Sequence, residues 1–130
     1  MQQSLTLTPR EELLWLAALL DGEGCFTFNI QKNGAKYPNI ILKMTDEDIV
    51  RTAWERAGVG HVTGPYPVAK AHHKPAWIWR ISEASHVFTL CRLLFPYMGT
   101  RRAAKIEEIL ALEEKRNQEP LWVRVAEWER

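Results

Sequence analysis

Asp21 and Glu23 stand one residue apart in Asp21-Gly22-Glu23-Gly24, directly after the apolar run Leu13 to Leu20. The run reads as a helix that Gly22 and Gly24 stop. Both acids then sit at its C-terminal end, where the macrodipole disfavours negative charge. A carboxylate placed against the dipole is stabilised once a cation neutralises it. Hard divalent cations such as Mg2+ take carboxylate oxygens and waters. Metal chemistry at this helix end is therefore the first expectation. Ala17 and Ala18 are adjacent small residues in a helix otherwise built of Leu and Trp, which lets a second helix approach closely. The plain alternative for Leu13 to Leu20 is a buried core helix.

Other chemistries find less support. His61, His72 and His73 lack zinc spacing. Cys25 and Cys91 form no CxxC pair and read as reduced, small apolar residues. There is no P-loop, no GxGxxG and no nucleophile elbow, so no small organic cofactor is expected. Trp77 and Trp79 share one strand face and read as core aromatics.

The elements that must position the acids fit one domain, 1–130, with a core of about 9–115 and a helical tail over 116–130. The 130 residues are 46% hydrophobic and 25% charged, which excludes a disordered chain. The longest apolar run has eight residues, against the roughly 20 a membrane-spanning helix needs. Arg10, Glu11 and Glu12 precede that run, which is not a signal peptide's layout. A cytoplasmic or organellar protein, not secreted and with no membrane partner, is expected.

Thr8-Pro9-Arg10-Glu11 writes a capping box with proline at the first helical position. Cys25 to Gln31 alternates, with Phe26, Phe28 and Ile30 on one side. Asn33-Gly34 marks a turn, and Asn39 to Met44 alternates again. Thr45 to Asp48 reads as a second capping box, opening a helix to Ala57 that Gly58 ends. A second hairpin, His61–Tyr66 and Ala76–Ile81, follows. Ser82 is the expected cap of a third helix and Thr100 of a fourth. Leu121, Val125 and Trp128 suggest a short terminal helix. The fold class is α+β: an αββαββα core whose four-stranded antiparallel sheet is covered by helices on one face, plus C-terminal helices.

Charge is unevenly distributed. Lys+Arg number 17 and Asp+Glu 16, for a net charge of +1. Yet no acid occurs from Gly24 to Thr45 or from Arg56 to Ser82. Both hairpins are basic, and the acids lie on helices. A basic sheet face fits a polyanion, although a solvated face with chance charges fits equally. Asn29, Gln31 and Asn39 suit adenine edges, Lys43 and Arg80 suit guanine or phosphate, and Ile41 suits a thymine methyl.

Leu16-Ala17-Ala18-Leu19-Leu20-Asp21-Gly22-Glu23-Gly24 resembles the LAGLIDADG motif of homing endonucleases. An alternating strand follows it at once. Gly58-Val59-Gly60, and Pro96-Tyr97 ahead of Arg101-Arg102, resemble further family segments, so the likeness covers about residues 9–115. The resemblance implies a site-specific double-stranded DNA endonuclease of a mobile genetic element, working with Mg2+ or another divalent cation. Glu23 would be the catalytic metal-binding acid, with Gly22 beside it. Asp46, Arg101 and Arg102 would assist. A single motif implies a homodimer through Leu13, Leu14, Ala17, Ala18, Leu20 and Asp21. DNA would lie on the hairpins, touching Thr27, Asn29, Gln31, Lys32, Lys36, Asn39, Ile41 and Lys43 on the first. Thr63, Lys70, Lys74 and Arg80 would touch it from the second. Ala18 stands where the motif has Gly, and Glu23 where Asp is commoner. Two other readings stay open: a DNA-binding regulator that has lost cleavage, and an RNA-binding intron maturase.

Overall fold

The first helix starts where its caps dictate. Thr8 Oγ1 accepts the Glu11 N–H at 3.2 Å, and Glu11 Oε1 accepts the Thr8 N–H at 3.0 Å. This reciprocal pair satisfies two otherwise orphan donors. It also holds the Glu11 carboxyl below its usual range, through the Thr8 backbone first and its hydroxyl second. The structure is a computed structural model that describes residues 6–67, 74–118 and 125. Lys70, His72, His73 and most of the expected terminal helix, with Trp122 and Trp128, lie outside the described residues.

The order is α1 (Pro9–Glu23), β1 (Gly24–Ile30), β2 (Lys36–Met44), α2 (Glu47–Ala57), β3 (His61–Tyr66), β4 (Ala76–Ile81), α3 (Ala84–Leu94), a 3-10 turn (Phe95–Tyr97) and α4 (Thr100–Gln118). The expected αββαββα order is present. The strands form one antiparallel sheet in the order β1-β2-β4-β3. Register places Phe26, Ile40 and Ile81 in one row and Leu42 and Trp79 in the next. These five side chains are buried. They pack with Leu16, Ala17 and Leu20 of α1, Val50 and Ala53 of α2, Val87 and Leu94 of α3, and Ile106 and Ile109 of α4. All four helices therefore share one face of the sheet.

Three details depart from expectation. β2 begins at Lys36 rather than Asn39. Pro38 tolerates this because residues 36–39 pair only with β1, so its missing N–H breaks no ladder bond. The second capping box is absent: Asp46 is the N-cap residue of α2 and makes no side-chain cap bond. Ser82 does not cap α3, whose N-cap is Glu83, and Thr100 does not cap α4 but is its first residue.

Two indoles fix the α2–β3 corner. Trp79 Nε1 donates to Val59 O at 3.0 Å, and Trp54 Nε1 donates to Gly60 O at 2.9 Å. Gly58 and Gly60 both take positive φ, at 74° and 90°. A Cβ on Gly60 would fall 2.6 Å from Arg80 O, whereas one on Gly58 would meet nothing within 4 Å. Gly58→Ala should therefore cost only the left-handed backbone penalty of about 1–2 kcal/mol. Gly60→Ala should cost distinctly more. Urea unfolding of the two variants checks the order, and equal losses would contradict the packing argument.

Candidate functional site

The face of the sheet turned away from the helices is a second surface. Cys25, Thr27 and Asn29 of β1 lie on it, followed across the register by Tyr37, Asn39, Ile41 and Lys43 of β2. Ile78 and Arg80 of β4 and His61 and Thr63 of β3 complete it. No acidic residue occupies any of these positions. Lys43, His61 and Arg80 are exposed. His61, Thr63, Tyr66, Ile78, Arg80 and Ser82 line an open hollow near the β3 edge. Every polar side chain in that hollow can donate a hydrogen bond.

Most expected contact residues sit on this surface: Thr27, Asn29, Asn39, Ile41, Lys43, Thr63 and Arg80. Gln31 and Lys32 are exposed in the β1–β2 turn, which Asn33 Oδ1 closes by accepting the Ala35 N–H at 2.9 Å. Lys74 is exposed just before β4. Lys36 is misplaced in the sequence reading. It pairs with Ile30 on the helix side of the sheet, and its Nζ lies 5.4 Å from the centre of the Phe28 ring. Cys25 and His61 lie on this face too, and Tyr37 was missed as a surface residue. Continuing the alternation of β2 two residues upstream would have found Tyr37.

At one end of this surface α1 passes into β1. Glu23 is exposed and, among the described residues, has no hydrogen-bonding or charged partner. Asp21 is engaged: its Oδ1 accepts the Gly99 N–H at 2.8 Å. Arg102 is engaged too, since its Nε and Nη2 donate to Gly24 O at 3.2 and 2.7 Å. Arg101 is exposed in the first turn of α4, without a partner among the described residues. Asp46 is exposed beyond the end of β2. Gly22 lies in the last turn of α1, where carbonyls have no intrahelical partner. No group of three or more His, Cys, Asp or Glu that could hold a metal occurs among the described residues. The donor set nevertheless suits a hard cation, which needs only one or two carboxylates besides waters and phosphate oxygens.

The remaining side of α1 is uncovered. Glu11, Leu14, Ala18 and Gly22 form an exposed stripe at helical spacing. Leu13 is half-buried. Ala17 and Leu20, expected at a contact with a second chain, are instead 1% and 0% exposed inside the chain's own core. The helix turns them toward the sheet, so only Leu14 and Ala18 of the expected apolar contacts face outward.

Comparison with solved structures places this geometry. The chain superposes on the homing endonuclease I-CvuI in complex with its target in the presence of Ca, with TM-score 0.62 and 16% identity over 79% of this chain and 66% of that one. A second I-CvuI complex, in the presence of Mg and with DNA not cleaved, gives TM-score 0.61 and 16% identity over the same shares. The group I intron-encoded homing endonuclease I-CeuI, complexed with DNA, gives TM-score 0.66 and 16% identity over 88% and 59%. The chain thus spans less than two thirds of these proteins' lengths. No protein-family model matches it, and neither does any curated protein. The chain has the fold of the LAGLIDADG homing endonucleases.

Its two thiols report the division between the faces. Cys25 is exposed on the open sheet face, while Cys91 is buried in α3. Burial pushes the Cys91 thiol from 9.0 up to about 12, with Arg92 opposing and Glu113 adding smaller effects. Because the folded chain holds this proton more tightly, the associated stability is intact below about pH 9 and is lost as pH rises toward 12. A maleimide at neutral pH should modify Cys25 alone in the folded chain, and Cys91 only after denaturation. Mass spectrometry that finds both modified under native conditions would contradict this arrangement.

Proposed function

We propose that the chain is a site-specific, double-stranded DNA endonuclease that acts as a homodimer with a divalent metal ion. The observation that carries this reading is Glu23: an exposed carboxylate at the C-terminal end of the motif helix, unpaired among the described residues and beside a sheet face without acids. The basic face suits the major groove, which admits a two-stranded β-ribbon. Lys43 and Arg80 would neutralise phosphates or contact guanine, and Asn29 and Asn39 would read adenine edges.

The uncovered stripe on α1 supports pairing with a second copy. Ala18 and Gly22 let the two helices approach, and a twofold axis would bring the two Glu23 carboxylates together. Glu23, with the Gly22 carbonyl nearby, would hold Mg2+ or a similar ion. Such an ion supplies phosphate polarisation and an activated water. The chain's own residues would do the rest. The sheet holds the duplex across the α1–β1 junction. Arg101 presents its guanidinium to the scissile phosphate at the start of α4, where the helix dipole adds positive potential. For Asp46 the N-cap position of α2 is explanation enough, since an acid there is favoured by the dipole.

Selection of cleaved sites from a randomised DNA library with Mg2+ tests the reading directly. Glu23→Gln should lower cleavage of a recovered site by about a hundredfold or more. Its DNA affinity should stay close to the parent's. Cleavage that survives in EDTA or in this variant would falsify the assignment. DNA that is retarded but never cut points to the regulator, and splicing-linked binding of structured RNA to the maturase. Lys43→Ala should reduce the slope of log affinity against log salt by about 1. An unchanged slope would remove Lys43 from the phosphate contacts.

A further inference from the structure

Two hydrogen-bonded contacts running in opposite directions tie the last turn of α1 to the first turn of α4. Asp21 Oδ1 accepts the Gly99 N–H at 2.8 Å, and Arg102 returns to Gly24 O with contacts of 3.2 and 2.7 Å, each across 78 residues of sequence. Glu23 lies between Asp21 and Gly24, the two anchored residues at the α1–β1 junction. The Gly24 anchor has no room for a side chain, since a Cβ there would fall 2.7 Å from Leu20 Cδ2, whereas one on Gly99 would stand 3.4 Å from Asp21 Oδ1, at ordinary contact. Gly99 O in turn accepts the Ala103 N–H at 2.9 Å, so the residue gripped by Asp21 also starts α4.

The electrostatics favour both contacts. The Asp21 carboxylate faces the positive end of the α4 dipole, and the Arg102 guanidinium faces the negative end of α1. With Nε and Nη2 both turned onto Gly24 O, Arg102 is oriented toward the protein. Arg101, one residue earlier, has no such engagement.

We propose that Asp21 and Arg102 are positioning residues. Together they form a two-point clamp that fixes the direction of the Glu23 carboxylate against the open sheet face, and Arg102 does not itself touch the DNA. This rests on the reading of Glu23 as the metal-binding acid. It separates two adjacent arginines by task, with Arg101 toward phosphate and Arg102 toward the backbone.

The test uses Asp21→Ala, Asp21→Asn, Arg102→Ala and Arg102→Lys in the full chain, and the two alanine variants again together with Glu23→Gln. Cleavage is followed against Mg2+ concentration, DNA affinity is measured without Mg2+, and amide hydrogen exchange is read at residues 22–25 in the free protein. Each alanine variant should slow cleavage roughly 10- to 100-fold, as loss of a supporting contact does, and leave DNA affinity unchanged. Asp21→Asn should recover most of the rate, because its amide oxygen can still accept the Gly99 N–H. Arg102→Lys should recover part of it. Amide exchange at residues 22–25 should quicken in both alanine variants. Neither variant should slow the residual rate of Glu23→Gln further. The clamp is overturned if Arg102→Ala slows cleavage equally in the Glu23→Gln background, if it weakens DNA affinity, or if exchange at residues 22–25 is unchanged. Should Arg102→Ala fail to fold, Arg102→Lys and Asp21→Ala carry the same comparison. A fully active Glu23→Gln overturns the underlying reading, and the clamp's assigned purpose with it. Failure of the clamp alone leaves Glu23→Gln inactive.

Discussion

The last turn of α1 holds two acids and no base. Two like charges at the negative end of a helix dipole are an unfavourable arrangement, and the chain meets it from a distance. The Asp21 charge is taken up by the Gly99 N–H ahead of α4, and the Gly24 carbonyl by Arg102. For α4 to begin there, the chain must first cross the sheet through α3 and turn at Phe95–Tyr97. Arg92 and Glu113 then join α3 to α4 with an ion pair. Closing the end of α1 thus ties α1 to α4 on one side of the sheet, and Glu23 between the two contacts stays exposed.

The same closure divides the surface electrically. Sheet positions on the open face hold Lys43, His61 and Arg80 without an acid. Exposed Glu107, Glu108 and Glu114 lie on α4, across the molecule's other layer. The net charge of +1 for the whole chain conceals an open sheet face without acids and a helix layer that mixes both signs. Several cations on the helix side are held over rings instead of facing outward. Arg56 sits 4.2 Å from the Trp15 ring centre and Arg51 sits 5.1 Å from Trp77. Such contacts join α2 to α1 and to β4 and withdraw those charges from any ligand.

Local patterns were legible in the sequence because local physics made them. The Thr8 capping box, the β-alternation and the glycine stops each depend on neighbours a few residues away. Element order and the two faces of β1 and of residues 39–44 of β2 followed from them. What stayed illegible depended on tertiary partners. Lys36 continues a basic hairpin in sequence, but the extension of β2 by three residues turns it to the helix side. Ala17 and Ala18 look alike as small motif residues, yet one is in the core and the other open, as the 100° step of the helix requires. Arg101 and Arg102 could not be told apart until Gly24 O came within reach of the second.

Within each strand, then, successive residues answer to different demands. Phe26, Ile40, Leu42, Trp79 and Ile81 must fit one another, while Thr27, Asn39, Ile41 and Arg80 support no core packing. A change at an outward position leaves the interior untouched, so the two sets are free to vary separately. The alternation of a β-strand makes the fold evolvable: its outer residues can drift while the scaffold beneath keeps its stability.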